Sequence, residues 1–237
     1  MKLKHISISL LALTALIGFS CQNEPDNPPT PSTGVLLNES FATGANGWEG
    51  NFTDYQTPQD SLMKFTFEHT GLPKPLNETQ KALRLYGENR SDDLFMFVRR
   101  RLTNLTPNKE YKLLFEVELA TLHPAGSIGI GGSPATSVFL KAGASATKPE
   151  KTKTGDAYGL NLDKGNQAEG GKDMVVIGDM ANGKTTEEYT LIQRSNAGKP
   201  FTVKTDANGE VWLILGTDSG FEGNQSIYYT RIKVTAL

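Results

Sequence analysis

Polar and apolar residues alternate with a period of two along most of the chain. Met63, Phe65 and Phe67 are separated by Lys64 and Thr66 and followed by Glu68. The longest run sets Tyr111, Leu113, Phe115, Val117 and Leu119 on one face, with Lys112, Glu116 and Glu118 on the other. Near the C-terminus, Tyr228, Thr230, Ile232 and Val234 alternate with Tyr229, Arg231 and Lys233. Successive side chains of an extended chain point to opposite faces, so these runs predict half-buried strands. Residues 211–215 are apolar on both faces, as a strand central to a sandwich would be. Turn residues separate the runs: Pro107-Asn108, Asn182-Gly183 and Asn208-Gly209. No amphipathic helix of three turns and no internal repeat is visible. The expectation is an all-β domain over 35–237, folded as a β-sandwich or barrel and long enough for a real core.

The first residues follow a different pattern. Lys2 and Lys4 precede an apolar run over 6–19, too short to span a bilayer but suited to a signal peptide over 1–20. Gly18-Phe19-Ser20 fits ordinary secretory cleavage, and Ser20 also fits a lipoprotein processing site ahead of Cys21. Cys21 is the chain's only cysteine and stands at the cleavage point, which favours lipid attachment there. It also means that no intramolecular disulfide can form, so a packed core must hold the domain. Residues 22–33 contain no apolar residue except proline, and 21–34 reads as an acylated cysteine with a Pro-rich tether. One acyl chain binds a bilayer weakly, so firm anchoring needs more than one. The expected location is the outer membrane or cell surface, with the membrane touched only through the lipid.

Composition narrows the function by exclusion. A formal net charge of −2 with 37% hydrophobic residues gives no reason to expect nucleic acid as a partner. The one basic run, Arg99-Arg100-Arg101, reads as a solvated strand end or edge guard. Residues 144–172 lack large apolar side chains, apart from a short strand suggested by Tyr158, Leu160 and Leu162, and read as a binding loop or a surface excursion. His69 and His123 sit in strand-end and turn sequence, and no nucleophile elbow occurs, so no catalytic triad is proposed. Gly129-Ile130-Gly131-Gly132-Ser133-Pro134 puts proline at the third glycine position of a dinucleotide loop and reads as a tight turn. Glu116 and Glu118 are about 7 Å apart on one strand face, within glycosidase range, but alternation directs them to solvent. The chain is read as a non-enzyme without a cofactor.

Three stretches carry a family resemblance. Leu37-Asn38-Glu39-Ser40-Phe41 with Gly47-Trp48 resembles the first strand of carbohydrate-binding-module jelly rolls of the galactose-binding-like type. The stretch from Leu102-Thr103-Asn104 to Glu110-Tyr111 is similar to their mid-domain turn, and Ile227 to Val234 to their last strand. Residues 89–97 and 216–223 resemble lipoproteins of Bacteroides-type bacteria. The resemblance implies a jelly-roll β-sandwich and a surface lipoprotein. It also implies a structural calcium held by acids after the opening Phe and before the final strand. Here those positions are Ala42 and Thr230, which leaves only an alternative calcium site at Asp92, Asp93, Asp218 or Glu222. Residues 138–143 faintly resemble a strand motif of alginate-lyase jelly rolls, but the tyrosine and glutamine that complete it are absent.

Sugar sites combine an aromatic platform with a few convergent polar groups. Trp48, Tyr55, Tyr158 and Phe221 lie near loop sequence and are the candidate aromatics, whereas Trp212 sits among Val211, Leu213, Ile214 and Leu215 and reads as core. Arg90, Asp92, Asp93, Asp218, Glu222 and Asn224 are the candidate polar groups. Asp218 with Glu222 is the favoured pair, because 216–223 holds more glycine than packing alone would require. Two functions follow from this: a surface glycan-binding module, or an accessory lipoprotein that binds a protein partner in a surface complex.

Overall fold

The computed structural model describes residues 33–90 and 93–237. The expected signal segment, Cys21, the Pro-rich stretch as far as residue 32, and Asp92 lie outside them. The alternating runs fold into two antiparallel sheets. One contains β1 (Gly34–Glu39), β4 (Thr66–Gly71), β5 (Lys81–Glu88), β7 (Glu110–Thr121), β12 (Thr190–Ser195), β13 (Phe201–Lys204) and β15 (Asn224–Ala236). The other contains β2 (Glu49–Thr53), β6 (Phe95–Leu102), β8 (Val138–Ser145), β11 (Met174–Asp179) and β14 (Val211–Ser219). From β5 to β8 the chain changes sheet at every step, and it does so again from β14 to β15. That pathway is a jelly-roll β-sandwich, as expected. Three short strands, β3 (Tyr55–Gln56), β9 (Lys151–Thr154) and β10 (Ala157–Leu160), pair separately.

The core lies between the two main sheets. Leu113, Phe115, Val117 and Leu119 of β7, with Leu83 and Leu85 of β5, meet Met96 and Val98 of β6 and Leu213 and Leu215 of β14. Each such side chain contributes roughly 1.5–3 kcal/mol on burial. β14 is hydrogen-bonded to β6 on one side and β8 on the other, the central position its apolar run predicts. Trp212 departs from the expectation. It points outward, opposite Arg101 and Ser145, stays half-buried, and has the Lys148 ammonium 5.2 Å from its ring centre.

β15 runs through the middle of the seven-stranded sheet, and its alternation is broken once. Tyr229 pairs with Leu119 and Arg231 with Glu118, so Thr230 is an extra, bulged residue. The phase therefore differs from the sequence reading: Tyr229, Ile232 and Val234 face the core, while Tyr228, Arg231 and Lys233 face outward. The Thr230 hydroxyl fixes the bulge by donating to the Glu118 carboxylate at 2.8 Å. Arg99-Arg100-Arg101 do end a strand, β6, and β2 covers its outer edge only as far as Arg99. Each of the three arginines holds a carboxylate: Glu49, Glu39 and Glu210.

The 144–172 segment forms β9 and β10, so the strand suggested by Tyr158, Leu160 and Leu162 exists but ends at Leu160, leaving Leu162 outside it. It packs against the outer face of the five-stranded sheet. Phe95, Phe97, Met174 and Ile214 are buried there, with Leu160 of the excursion against them.

Candidate functional site

The register of β15 opens a cleft. β5 pairs with β15 over Asn224–Tyr229, but β7 joins its other edge only from Tyr228. Residues 224–227 therefore have a strand on one side alone, and the gap forms a cleft of about 280 Å³. Tyr86 of β5, Tyr189 just before β12, and Tyr228 line it, with Arg84, His123 and Asn224 as polar groups. Tyr189 meets Tyr228 edge-on at 5.6 Å. Strand pairing sets Arg84 opposite Tyr228 and Tyr86 opposite Ser226. The Arg84 guanidinium consequently lies 5.0 Å from the Tyr86 ring centre and 5.8 Å from that of Tyr228. Its Nε donates to Ser226 Oγ at 2.8 Å and its Nη1 to Glu68 at 3.0 Å. At the rim, His123 Nδ1 is 2.9 Å from a Glu187 oxygen.

Burial raises the Tyr189 phenol above its ordinary pKa, with Tyr228 adding to the effect. Burial also raises Tyr86, helped by its hydrogen bond to Glu88. Hydrogen bonds from Lys64 and Arg90 hold the Glu88 carboxyl down to about 2. Tyr86 and Tyr189 thus stay neutral across the physiological range and can present hydroxyl donors and ring edges.

Among the described residues, Asn224 is the one sequence-predicted site residue that lines this cleft. Tyr55, Asp93 and Tyr158 do converge, at a second locus beside β10, where together with Asp54 they line clefts of about 200 and 350 Å³. Their rings are not open platforms. Tyr55 is 2% exposed and stacks on Phe52 at 4.9 Å, and Tyr158 lies 5.1 Å from it. The Lys151 ammonium sits 4.9 Å from the Tyr158 ring centre and donates to the Tyr55 hydroxyl at 2.7 Å.

The remaining candidates are corrected by their surroundings. Trp48 is 3% exposed and belongs to the core, because the turn through Gly47 (φ 80°) folds it inward. Asp218 is wholly buried on the outer face of the five-stranded sheet, so it forms no surface pair with Glu222. Lys141 donates to its Oδ2 at 2.8 Å and Lys164 at 2.7 Å, while the Gln167 amide donates at 3.0 Å. Lys164 also reaches Asp54 at 3.0 Å, giving a buried row of two lysines and two aspartates. Burial pulls Lys141 below the usual lysine range; in Lys164 the two aspartates outweigh burial and raise it. Glu222 pairs through its backbone with Ile130. Phe221 covers Gly129 and Gly223, where a Cβ would come within 2.4 Å of its ring. Gly216 is pressed against the Met96 carbonyl and the Phe95 ring. Packing therefore does account for these glycines. Arg90 is exposed and donates to Glu88.

No cluster of three His, Cys, Asp or Glu residues exists among the described residues. Ala42 and Thr230, the positions where the resemblance would place calcium ligands, do line one common cleft. It also contains Lys81 and Arg231, whose charges oppose a cation.

Tyr86, Tyr189 and Tyr228 escaped the sequence reading. The adjacent Tyr228-Tyr229 pair carried a signal, since one of two neighbours in a strand must face outward. Which one does so depends on the bulge.

No protein-family model matches the chain, and no curated protein does so either. Among solved structures, a carbohydrate-binding module specific for mannan shares 12% identity over 86% of this chain and 97% of its own, with a TM-score of 0.41. A protein of Bacteroides thetaiotaomicron described as sugar-binding shares 12% over 84% and 92%, with a TM-score of 0.40. The K1 adhesin domain of Lys-gingipain from Porphyromonas gingivalis shares 14% over 85% and 98%, with a TM-score of 0.37. At this distance the activities of those proteins do not transfer, and the chain's own cleft has to carry the reading of function.

Proposed function

We propose that the chain binds carbohydrate without turning it over, in the cleft between β15 and the end of β7. The observation that supports this is the convergence of Tyr86, Tyr189 and Tyr228 with Arg84, Asn224 and Ser226 around about 280 Å³. Aromatic edges suit the apolar face of a sugar ring, and fixed amide, hydroxyl and guanidinium groups suit its hydroxyls. No Asp or Glu is among the described residues lining the cleft, whereas glycoside hydrolysis uses two carboxylates. We also propose that the chain is an exported lipoprotein, acylated at Cys21 and held at the outer membrane or cell surface.

Glycan-array screening followed by affinity electrophoresis tests the binding. Tyr189→Ala is expected to weaken retention at least about tenfold, equivalent to about 1.4 kcal/mol, while the melting temperature stays within a few degrees. Unchanged retention would remove the site assignment. For the anchor, intact mass of membrane-extracted protein should exceed the unmodified value, and Cys21→Ala should appear in the soluble fraction.

One observation favours the protein-partner reading instead. Ile128 and Ile130 are 96% and 72% exposed on the loop leading from His123 to Pro134. Crosslinked co-purification of a defined partner, with no glycan retained, is the result that reading expects.

A further inference from the structure

The other edge of β15 has a gap of its own. β5 pairs with β15 as far as Tyr229, and β1 takes over only from Ile232. Thr230 and Arg231 stand between these two partners and open a cleft of about 280 Å³. Ser40, Thr79 and Thr230 belong to its lining, together with Lys81 and Arg231.

The charges in this cleft are unbalanced. Among the described residues neither Lys81 nor Arg231 forms an ion pair, although the nearby Arg84, Arg100 and Lys233 each hold a glutamate. Arg231 is fixed by donating through Nε to Asn38 at 2.9 Å. The one acid in the lining, Glu118, is engaged by the Thr230 hydroxyl. Two cations against the single carboxylate of Glu118 leave the lining with one positive charge in excess, in a chain of formal net charge −2, and this marks a local demand for an anion. A guanidinium presents parallel N–H donors that match a carboxylate, and the surrounding hydroxyls suit a sugar.

We infer that this cleft receives the carboxylate of a uronic acid residue, so that the carbohydrate bound is an acidic polysaccharide. The inference rests on the glycan-binding reading above. The two clefts draw on residues two apart along β15, Tyr228 in the first and Thr230 in the second. A uronate in the second would carry its neighbouring sugar toward the tyrosines.

The test compares polymers that differ only in charge: polygalacturonate and its fully methyl-esterified form, with alginate and hyaluronan as further carboxylated probes and xylan and mannan as neutral ones. At least one carboxylated polymer should retain the protein about tenfold more strongly than the esterified one, with retention falling as salt rises. Arg231→Gln should remove that preference, while Lys204→Gln, on an exposed residue of β13, should not. Equal retention of charged and esterified polymers, retention of neutral glycans alone, or equal losses in both variants would overturn the acidic assignment and leave glycan binding standing. Retention of no glycan at all would overturn both.

Discussion

The outer faces of the two sheets are built from the same alternation and end in opposite states. On the five-stranded sheet, Phe95, Phe97 and Ile214 are wholly buried and an excursion of the chain is fastened over them. Lys141 is the fastener: its ammonium donates to Asp218 and to the backbone carbonyls of Lys164 and Glu169. On the seven-stranded sheet, by contrast, the outward residues are Arg84, Tyr86, Tyr228, Arg231 and Lys233, and clefts remain between strands. Outward apolar residues created a face that had to be covered. Outward tyrosines and arginines created one that tolerates water and can exchange it for a ligand. The difference lies in a handful of outward positions, while the inward ones are predominantly apolar.

The largest expected effect is on the covered face. Lys141→Met leaves Asp218 buried with half its charge partners, and loss of about 3–5 kcal/mol is expected on breaking such a pair. Urea denaturation would measure it. A loss under about 1 kcal/mol would mean that the excursion does not depend on this lysine. A smaller effect is expected on the open face, through pH. Hydrogen bonds from Lys64 and Arg90 hold Glu88 at about 2 in the folded chain, below the ordinary 4.5 of a free glutamate. Its folded-state pKa is depressed, so its contribution is complete above about 4.5 and is lost as pH falls from there toward about 2. Glu88→Gln should therefore flatten the acid limb of stability in that window and leave the limb above pH 6 unchanged. The smallest effect concerns Trp212, at the uncovered end of the five-stranded face. Lys148→Ala should cost about 0.5–1 kcal/mol, the value of an exposed cation–π contact, and should raise the quenching of Trp212 fluorescence by acrylamide.

The strands were legible where period and burial agreed. The run from Tyr111 to Leu119 and the doubly apolar β14 take their predicted places, because a core face admits no other register. The tryptophans exchanged roles. Trp48 sits in glycine-rich sequence yet is drawn under the turn, and Trp212 sits in apolar sequence yet falls on the outward phase. Neighbours along the chain do not reveal which sheet face a residue joins. Asp218 looked like a loop acid because its partners, Lys141 and Lys164, are distant in sequence. The tyrosine cleft was hidden for a related reason. It depends on where β7 and β5 begin and end against β15, and on one bulged threonine.

β15 also sets a distance. Gly34, the first residue of β1, pairs with Ala236 at one end of this strand, and Asn224 borders the tyrosine cleft at the other. Twelve residues of strand at about 3.3 Å each put roughly 40 Å between them. Whatever is joined ahead of Gly34, whether a fusion partner, a resin or a lipid, therefore attaches at the far pole from the cleft and leaves its mouth unshadowed. Leu237 lies at the same pole as Gly34, so a tag placed after Leu237 presents the cleft to a surface-bound polymer as well as a joint ahead of Gly34 does.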